Sequence, residues 1–226
     1  MFLEKIYQTL NLHWTIFNME DLISKVNALK ETPIKETVDK RLKEFELLGE
    51  KGDNEWFSEL CFCLLTANSR ATSAIRIQNQ IGARGFLNSS KENIAQTIKM
   101  NKHRFHNNKA KYVVGAREFK EIKKILKNKE DFEAREFIVK NVKGLGMKES
   151  SHFLRNVGKK NLAILDRHIL NLLFEEGYLL EKPNVLTPRI YKKIEETFNR
   201  IAEKLKMSSA ELDLYMWYMK TGMVLK

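Results

Sequence analysis

The chain is predicted to be all-α, in two helical subdomains, and three observations carry that expectation. No stretch alternates apolar and polar residues with the period of a half-buried strand. Apolar residues recur instead at helical spacing, as in Val38, Leu42, Phe45 and Leu48. Helix-start signals stand before such runs: Thr32-Pro33, Ser89-Ser90, Thr187-Pro188, and the capping box Ser208-Ser209-Ala210-Glu211. The 226 residues, 43% of them hydrophobic, suffice for one large or two small cores.

Taken in order, Phe2–Leu12 reads as a short helix, with Trp14 and Phe17 continuing its apolar patch. Thr32 as N-cap and Pro33 at the first position open a helix that runs to the Gly49–Gly52 turn. Nothing in this N-terminal quarter has evident chemistry. Asp53 is expected to cap the next helix, Trp56–Leu65, which is apolar nearly all round and therefore central and buried. It ends in the polar stretch Thr66–Thr72, which contains Asn68 and Arg70 and can start another helix. Beyond Gly82-Ala83-Arg84-Gly85 and the Ser89-Ser90 cap lies a basic, aromatic, amide-rich segment, Lys102–Lys111. Its Lys and Arg suit phosphates, and Phe105 suits either base stacking or the core. One long helix is expected from Tyr112 through Phe119, Ile122 and Ile125 to about Asn128.

The next helix, Asp131–Asn141, is expected to turn Phe132, Ile138 and Val142 inward. Gly144-Leu145-Gly146 follows, then a second helix with Met147, Phe153, Leu154 and Val157 at inward positions and Gly158 as its stop. Asp166 opens a helix that ends at Gly177, with His168 in its first turn. A linker containing Pro183 leads to the Thr187-Pro188 helix, which reaches about Lys206. The last helix, Leu212–Met219, is rich in aromatic residues.

Composition narrows the function classes. A net charge of +11 favours a polyanionic partner, although a lysine-rich surface also serves solubility. No apolar run approaches the roughly 18–20 residues of a membrane span, and no signal-peptide pattern opens the chain, so an intracellular, cytoplasmic protein is expected. Cys61 and Cys63, two residues apart on a helix, face different directions and read as small core residues rather than a disulfide. Two cysteines cannot hold an iron–sulfur cluster through four thiolates.

The segment Asn141–Gly158 organises the rest. Two helices joined by Gly-Leu-Gly read as a helix-hairpin-helix, whose second helix offers free N–H groups and a positive dipole end to a phosphate. A Gly-x-Gly alone fits a C-cap glycine and a loop equally well. Lys148 stands two residues beyond Gly146, and Asp166 follows eighteen residues after it. With that pair in its hairpin, the chain resembles the helix-hairpin-helix superfamily of DNA base-excision glycosylases. Within it, the chain is most similar to the compact archaeal-type 8-oxoguanine DNA glycosylase/lyases, from about Trp56 to the C-terminus.

The resemblance implies a cleft between subdomains 1–52 plus 129–226 and 53–128, with the hairpin motif at 131–158. It implies Lys148 as nucleophile and Asp166 as its carboxylate partner, although an Asp there is also an ordinary N-cap. Gly144, Gly146, Glu149, His168 and Arg70 would meet DNA, and Asn68 would fill the gap left by an extruded base or simply cap a helix. Phe105, Asp213, Trp217 and Lys226 would recognise the base, Lys226 through a terminal carboxylate that reads the N7 hydrogen peculiar to 8-oxoguanine. An aromatic stripe such as that around Trp217 also fits plain core packing. The carbonyls of Val142 and Leu145 would hold a monovalent cation; no other cofactor is implied. The expected partner is double-stranded DNA containing oxidised guanine, bound by a monomer at the nucleoid. Three alternatives remain: a lysine glycosylase/lyase for oxidised pyrimidines, a non-catalytic DNA-binding module, and a protein-binding helical domain.

Overall fold

The structure, a computed structural model, describes residues 21–226; the expected Phe2–Leu12 helix and the Trp14/Phe17 patch lie outside the described residues. Among those residues every regular element is helical. The order is α1 (21–30), α2 (Ile34–Glu50), α3 (Asp53–Thr66), α4 (Ala71–Asn88), α5 (Lys91–Met100), α6 (His106–Gly115), a 3-10 turn (Ala116–Phe119), α7 (Ile122–Leu126), α8 (Asp131–Asn141), α9 (Met147–Asn156), α10 (Arg167–Glu175), α11 (Pro188–Lys204) and α12 (Ser209–Thr221). No described helix is long and apolar enough to cross a membrane.

The chain forms two compact units. The hairpin unit holds residues 42–162 together with Leu225 and Lys226; the other holds the described residues up to Arg41 together with 163–224. The division therefore differs from the expected one, which placed 129–162 outside the unit built on the central helix. Packing explains the shift. The hairpin helices α8 and α9 share one core with α3, in which Ala134, Ile138, Val142, Leu145, Phe153 and Leu154 pack with Phe57, Leu60, Phe62 and Leu64.

The central helix α3 is buried along its length from Trp56 to Thr66, as its unbroken apolar pattern predicts, and both cysteines are free within it. Its N-cap, however, is Gly52, and the Asp53 carboxylate accepts instead from the Lys123 and Lys124 amides at 2.9 and 3.4 Å. Asp53 thus caps α7 rather than α3. That cap also breaks the single long helix expected over 112–128, because α7 begins where Asp53 takes its amides, beyond a 3-10 turn. Gly82, at φ 64° and ψ 170°, is non-helical and divides the α4 span into two helical segments across a kink. Phe132 is the other departure: it is 46% exposed, while Ile138 and Val142 are buried. Six residues of α-helix turn through roughly 600°, so Phe132 and Ile138 lie about 120° apart and cannot share a face.

In the second unit, α12 packs on α10 and α11. The expected caps are present, Thr187 on Ile190, Ser208 on Glu211 and a left-handed Gly177, and a left-handed Gly222 closes α12.

Candidate functional site

The hairpin is built as its sequence requires. Gly144 sits at φ +102°, and a Cβ there would come within 2.7 Å of Tyr112 Cδ2 and 3.1 Å of Leu64 Cδ2. Only glycine serves both the left-handed turn and that close approach to α6 and α3. Gly146 is the N-cap of α9 and Lys148 the second residue of that helix. The Lys148 side chain is 28% exposed, and its Nζ lies 3.0 Å from Glu149 Oε1. A partly exposed amine in the first turn of a helix, beside a carboxylate, can reach a ligand held at that helix start. The Val142 carbonyl accepts from the Leu145 amide at 3.3 Å and keeps one lone pair for another partner.

Asp166 belongs to the other unit, at the N-cap of α10. Its Oδ1 accepts from the His168 and Ile169 amides at 2.8 and 2.9 Å, so the ordinary capping role is real and Oδ2 stands outside these two bonds. The approach to Asp166 is fixed from α11. Tyr191 Oη donates to the Ala163 carbonyl at 2.7 Å and accepts from the Leu165 amide at 3.2 Å, and Glu195 accepts from the Ala163 amide at 3.0 Å. Beside it, the His168 ring meets the Trp217 indole edge-on, with centroids 5.0 Å apart. The Trp217 Nε1 is buried and has no hydrogen-bond partner among the described residues. Asp213 is buried one turn earlier on α12.

The remaining predicted residues lie in the hairpin unit. Asn68 and Arg70 are exposed on the α3–α4 turn, with Asn68 at φ +58°. Phe105 is 42% exposed beneath the Arg104 guanidinium, so it is not a core residue. Lys226 anchors through its side chain: Nζ donates to Glu59 Oε2 at 2.9 Å and to Gln78 Oε1 at 2.6 Å, and it stands 4.2 Å from the Phe62 ring centroid.

Four residues escaped the sequence reading. Glu59, 2% exposed, accepts from Asn156 (2.6 Å), Gln78 (3.1 Å) and Lys226; its signal was a lone acid inside an apolar helix. His152, one turn beyond Lys148, packs edge-on against Phe62, and burial beside Arg155 and Lys148 pushes its imidazole well below the usual range. His103 and Lys109 were read as part of a DNA-facing segment, yet they are 4% and 5% exposed.

Comparison with known proteins fixes the family. Residues 38–207 match the Ogg-HhH family profile, described as 8-oxoguanine DNA glycosylase. The chain belongs to this family. It is 49% identical over 206 residues to the Methanocaldococcus jannaschii protein named 8-oxoguanine DNA glycosylase/AP lyase, covering 91% of this chain and 99% of that one. Its identity to the Korarchaeum cryptofilum protein of the same name is 42%, across 92% of this chain and 99% of that one. The crystal structure of the M. jannaschii glycosylase/lyase in complex with a 15mer DNA containing 8-oxoguanine superposes with a TM-score of 0.88 at 48% identity, over 91% and 99% of the two chains. Family membership and the all-α fold thus agree with the resemblance carried by the hairpin and its Lys148/Asp166 spacing.

Proposed function

We propose that this chain is a bifunctional 8-oxoguanine DNA glycosylase/AP lyase of base-excision repair. The observation that supports it most directly is Lys148, a partly exposed lysine in the first turn of the second hairpin helix, in a chain of the 8-oxoguanine DNA glycosylase family. A base stacked in duplex DNA must be extruded before its glycosidic bond can be reached. The exposed, left-handed Asn68 fills the vacated position, and Arg70 meets a flanking phosphate. The amides after Gly144 and Gly146 and the His168 side chain take further phosphates, with Glu149 setting Lys148 beside them.

The neutral Lys148 amine attacks C1′ of the deoxyribose. The C1′–N9 bond breaks, and the base leaves with its electron pair and takes up a proton. Ring opening then gives the Lys148 Schiff base, which acidifies the 2′ hydrogens; loss of one expels the 3′ phosphate by β-elimination. Asp166, with Oδ2 outside its cap, stabilises positive charge developing on the sugar. Phe105, Asp213, Trp217 and Lys226 recognise the base: Phe105 offers a face, Trp217 an unpaired N–H, and Lys226 arrives on a side chain fixed by Glu59 and Gln78.

None of these steps calls on a cofactor or an iron–sulfur cluster. The Val142 and Leu145 carbonyls would hold a monovalent cation that bridges the hairpin to a phosphate. The protein would act as a monomer on double-stranded DNA containing oxidised guanine, at the nucleoid in the cytoplasm. Borohydride trapping on 8-oxoguanine duplex tests the reading. Wild type should yield a covalent adduct and Lys148→Gln none. An adduct on oxidised-pyrimidine DNA alone would transfer the specificity to that class, and base release without any adduct would refute lysine catalysis.

A further inference from the structure

The two polar side chains buried in the basic segment 102–111 converge on one place, the C-terminal end of α3. Lys109 Nζ donates to the Leu64 carbonyl at 2.6 Å. His103 Nε2 lies 2.9 Å from the Leu65 carbonyl, while its Nδ1 accepts from the Phe105 amide at 3.3 Å. Those two bonds fix the tautomer: Nδ1 is the acceptor, so Nε2 carries the hydrogen and donates. Thr66 Oγ1 closes on the Cys63 carbonyl at 2.9 Å, and the Ser69 amide on the Thr66 carbonyl at 3.0 Å. Four successive carbonyls that a helix end leaves without intrahelical partners are thereby each assigned a donor. Lys109 also brings a cation to the negative end of the helix dipole. The chain emerging from this lock is the Asn68 turn, in which a non-glycine residue holds φ +58° with its side chain exposed. Such a conformation persists only where its surroundings over-determine it.

We propose that His103 and Lys109 are positioning residues that clamp the α3–α4 turn and hold Asn68 ready to enter the duplex; this rests on Asn68 being the residue that fills the vacated stack. The His103 bond to the Phe105 amide ties the second exposed side chain, Phe105, to the same clamp. Burial keeps His103 neutral, with the tautomer that both bonds need.

Two single-turnover assays separate positioning from a general structural role. Release of 8-oxoguanine from duplex needs a base extruded, whereas cleavage of a preformed abasic duplex does not. Lys109→Met and His103→Phe should slow base release about tenfold and leave abasic cleavage within about twofold. His103→Gln, which can donate and accept at once, should restore part of the rate and serves if His103→Phe does not fold. In an Asn68→Ala background the clamp substitutions should add nothing, because coupled residues are non-additive. Equal losses in both assays, or losses that add to Asn68→Ala, would overturn the proposal. If wild type releases no base, fluorescence of a 2-aminopurine opposite the lesion decides. A binding-induced rise lost in the clamp variants sustains the clamp while the proposed substrate fails; a rise unchanged in them overturns it.

Discussion

Lys148 and Lys109 lie in the same unit, on α9 and α6, and make the same chemical group serve opposite ends. Lys148 stands at a helix N-terminus, part-exposed, with Glu149 as an ion-pair partner. Lys109 is buried, points at a helix C-terminus and spends its donor on the Leu64 carbonyl. At the positive end of α9 the part-exposed Lys148 can turn toward a ligand, whereas the negative end of α3 attracts the Lys109 ammonium and makes it a fastener. The difference shows that lysine count alone does not locate a DNA surface. What decides is the helix end that each side chain faces.

The largest effect should fall on the exposed member. Lys148→Gln is expected to abolish both base release and Schiff-base trapping, by at least about 10³-fold in single-turnover rate, as for other deleted nucleophiles. Its Tm should stay within a few degrees of wild type, since a part-exposed ion pair contributes little. A collapse in Tm alongside activity would make Lys148 another fastener and erase the contrast.

The second test carries the comparison to carboxylates. Glu59 is buried with Asn156, Gln78 and Lys226 on its two oxygens, and Arg155 in turn donates to Asn156 Oδ1 at 3.1 and 2.9 Å. Glu59→Leu removes the acceptor of the buried Asn156 amide and of the part-buried Lys226 ammonium, so urea denaturation should show a loss of about 1–3 kcal/mol. Glu59→Gln, keeping one acceptor oxygen, should cost less. Equal behaviour of the two variants would deny the carboxylate its organising role.

The third test uses pH. Burial pushes the Lys109 ammonium down to about 8, against an unfolded value of 10.5. Between those values the unfolded chain binds more protons than the native one, so native stability gains with rising pH across that window. The cost of burying the ammonium is present in full below pH 8 and relieved as pH approaches 10.5. Wild type should therefore gain stability relative to Lys109→Met between pH 8 and 10, measured by urea unfolding. Parallel curves would mean that the Lys109 ammonium is as well solvated in the native state as in the unfolded chain.

This contrast also marks what the sequence could reveal. The hairpin was legible because its signals are local: a glycine that the turn demands, a helical apolar period in Met147, Phe153 and Leu154, and a lysine at fixed distance from both. The clamp was not, because His103 and Lys109 take carbonyls 38 and 45 residues away, and no local pattern distinguishes a phosphate-facing lysine from one that caps a distant helix. The unit boundary failed for the same reason. The hairpin helices follow the sequence order of the C-terminal half, yet they bury their apolar faces with α3. Phe132 failed differently, through a phase error within one helix that places its ring outside the buried face.

The smallest effect tests the other fastener that the sequence misassigned. Asp53 was expected to cap its own helix and instead accepts from the Lys123 and Lys124 amides, while Lys123 Nζ returns to the Gly49 and Lys51 carbonyls at 2.9 and 2.6 Å. The start of α7 and the turn before α3 thus hold each other, about seventy residues apart in sequence. Asp53→Ala should cost about 1 kcal/mol, the usual loss of a helix cap, and leave base release unchanged. Asp53→Asn should recover most of that loss, because an amide oxygen can accept the same two N–H groups. If Asn proves as damaging as Ala, the benefit comes from negative charge in the first turn of α3, and Asp53 serves the helix it begins after all.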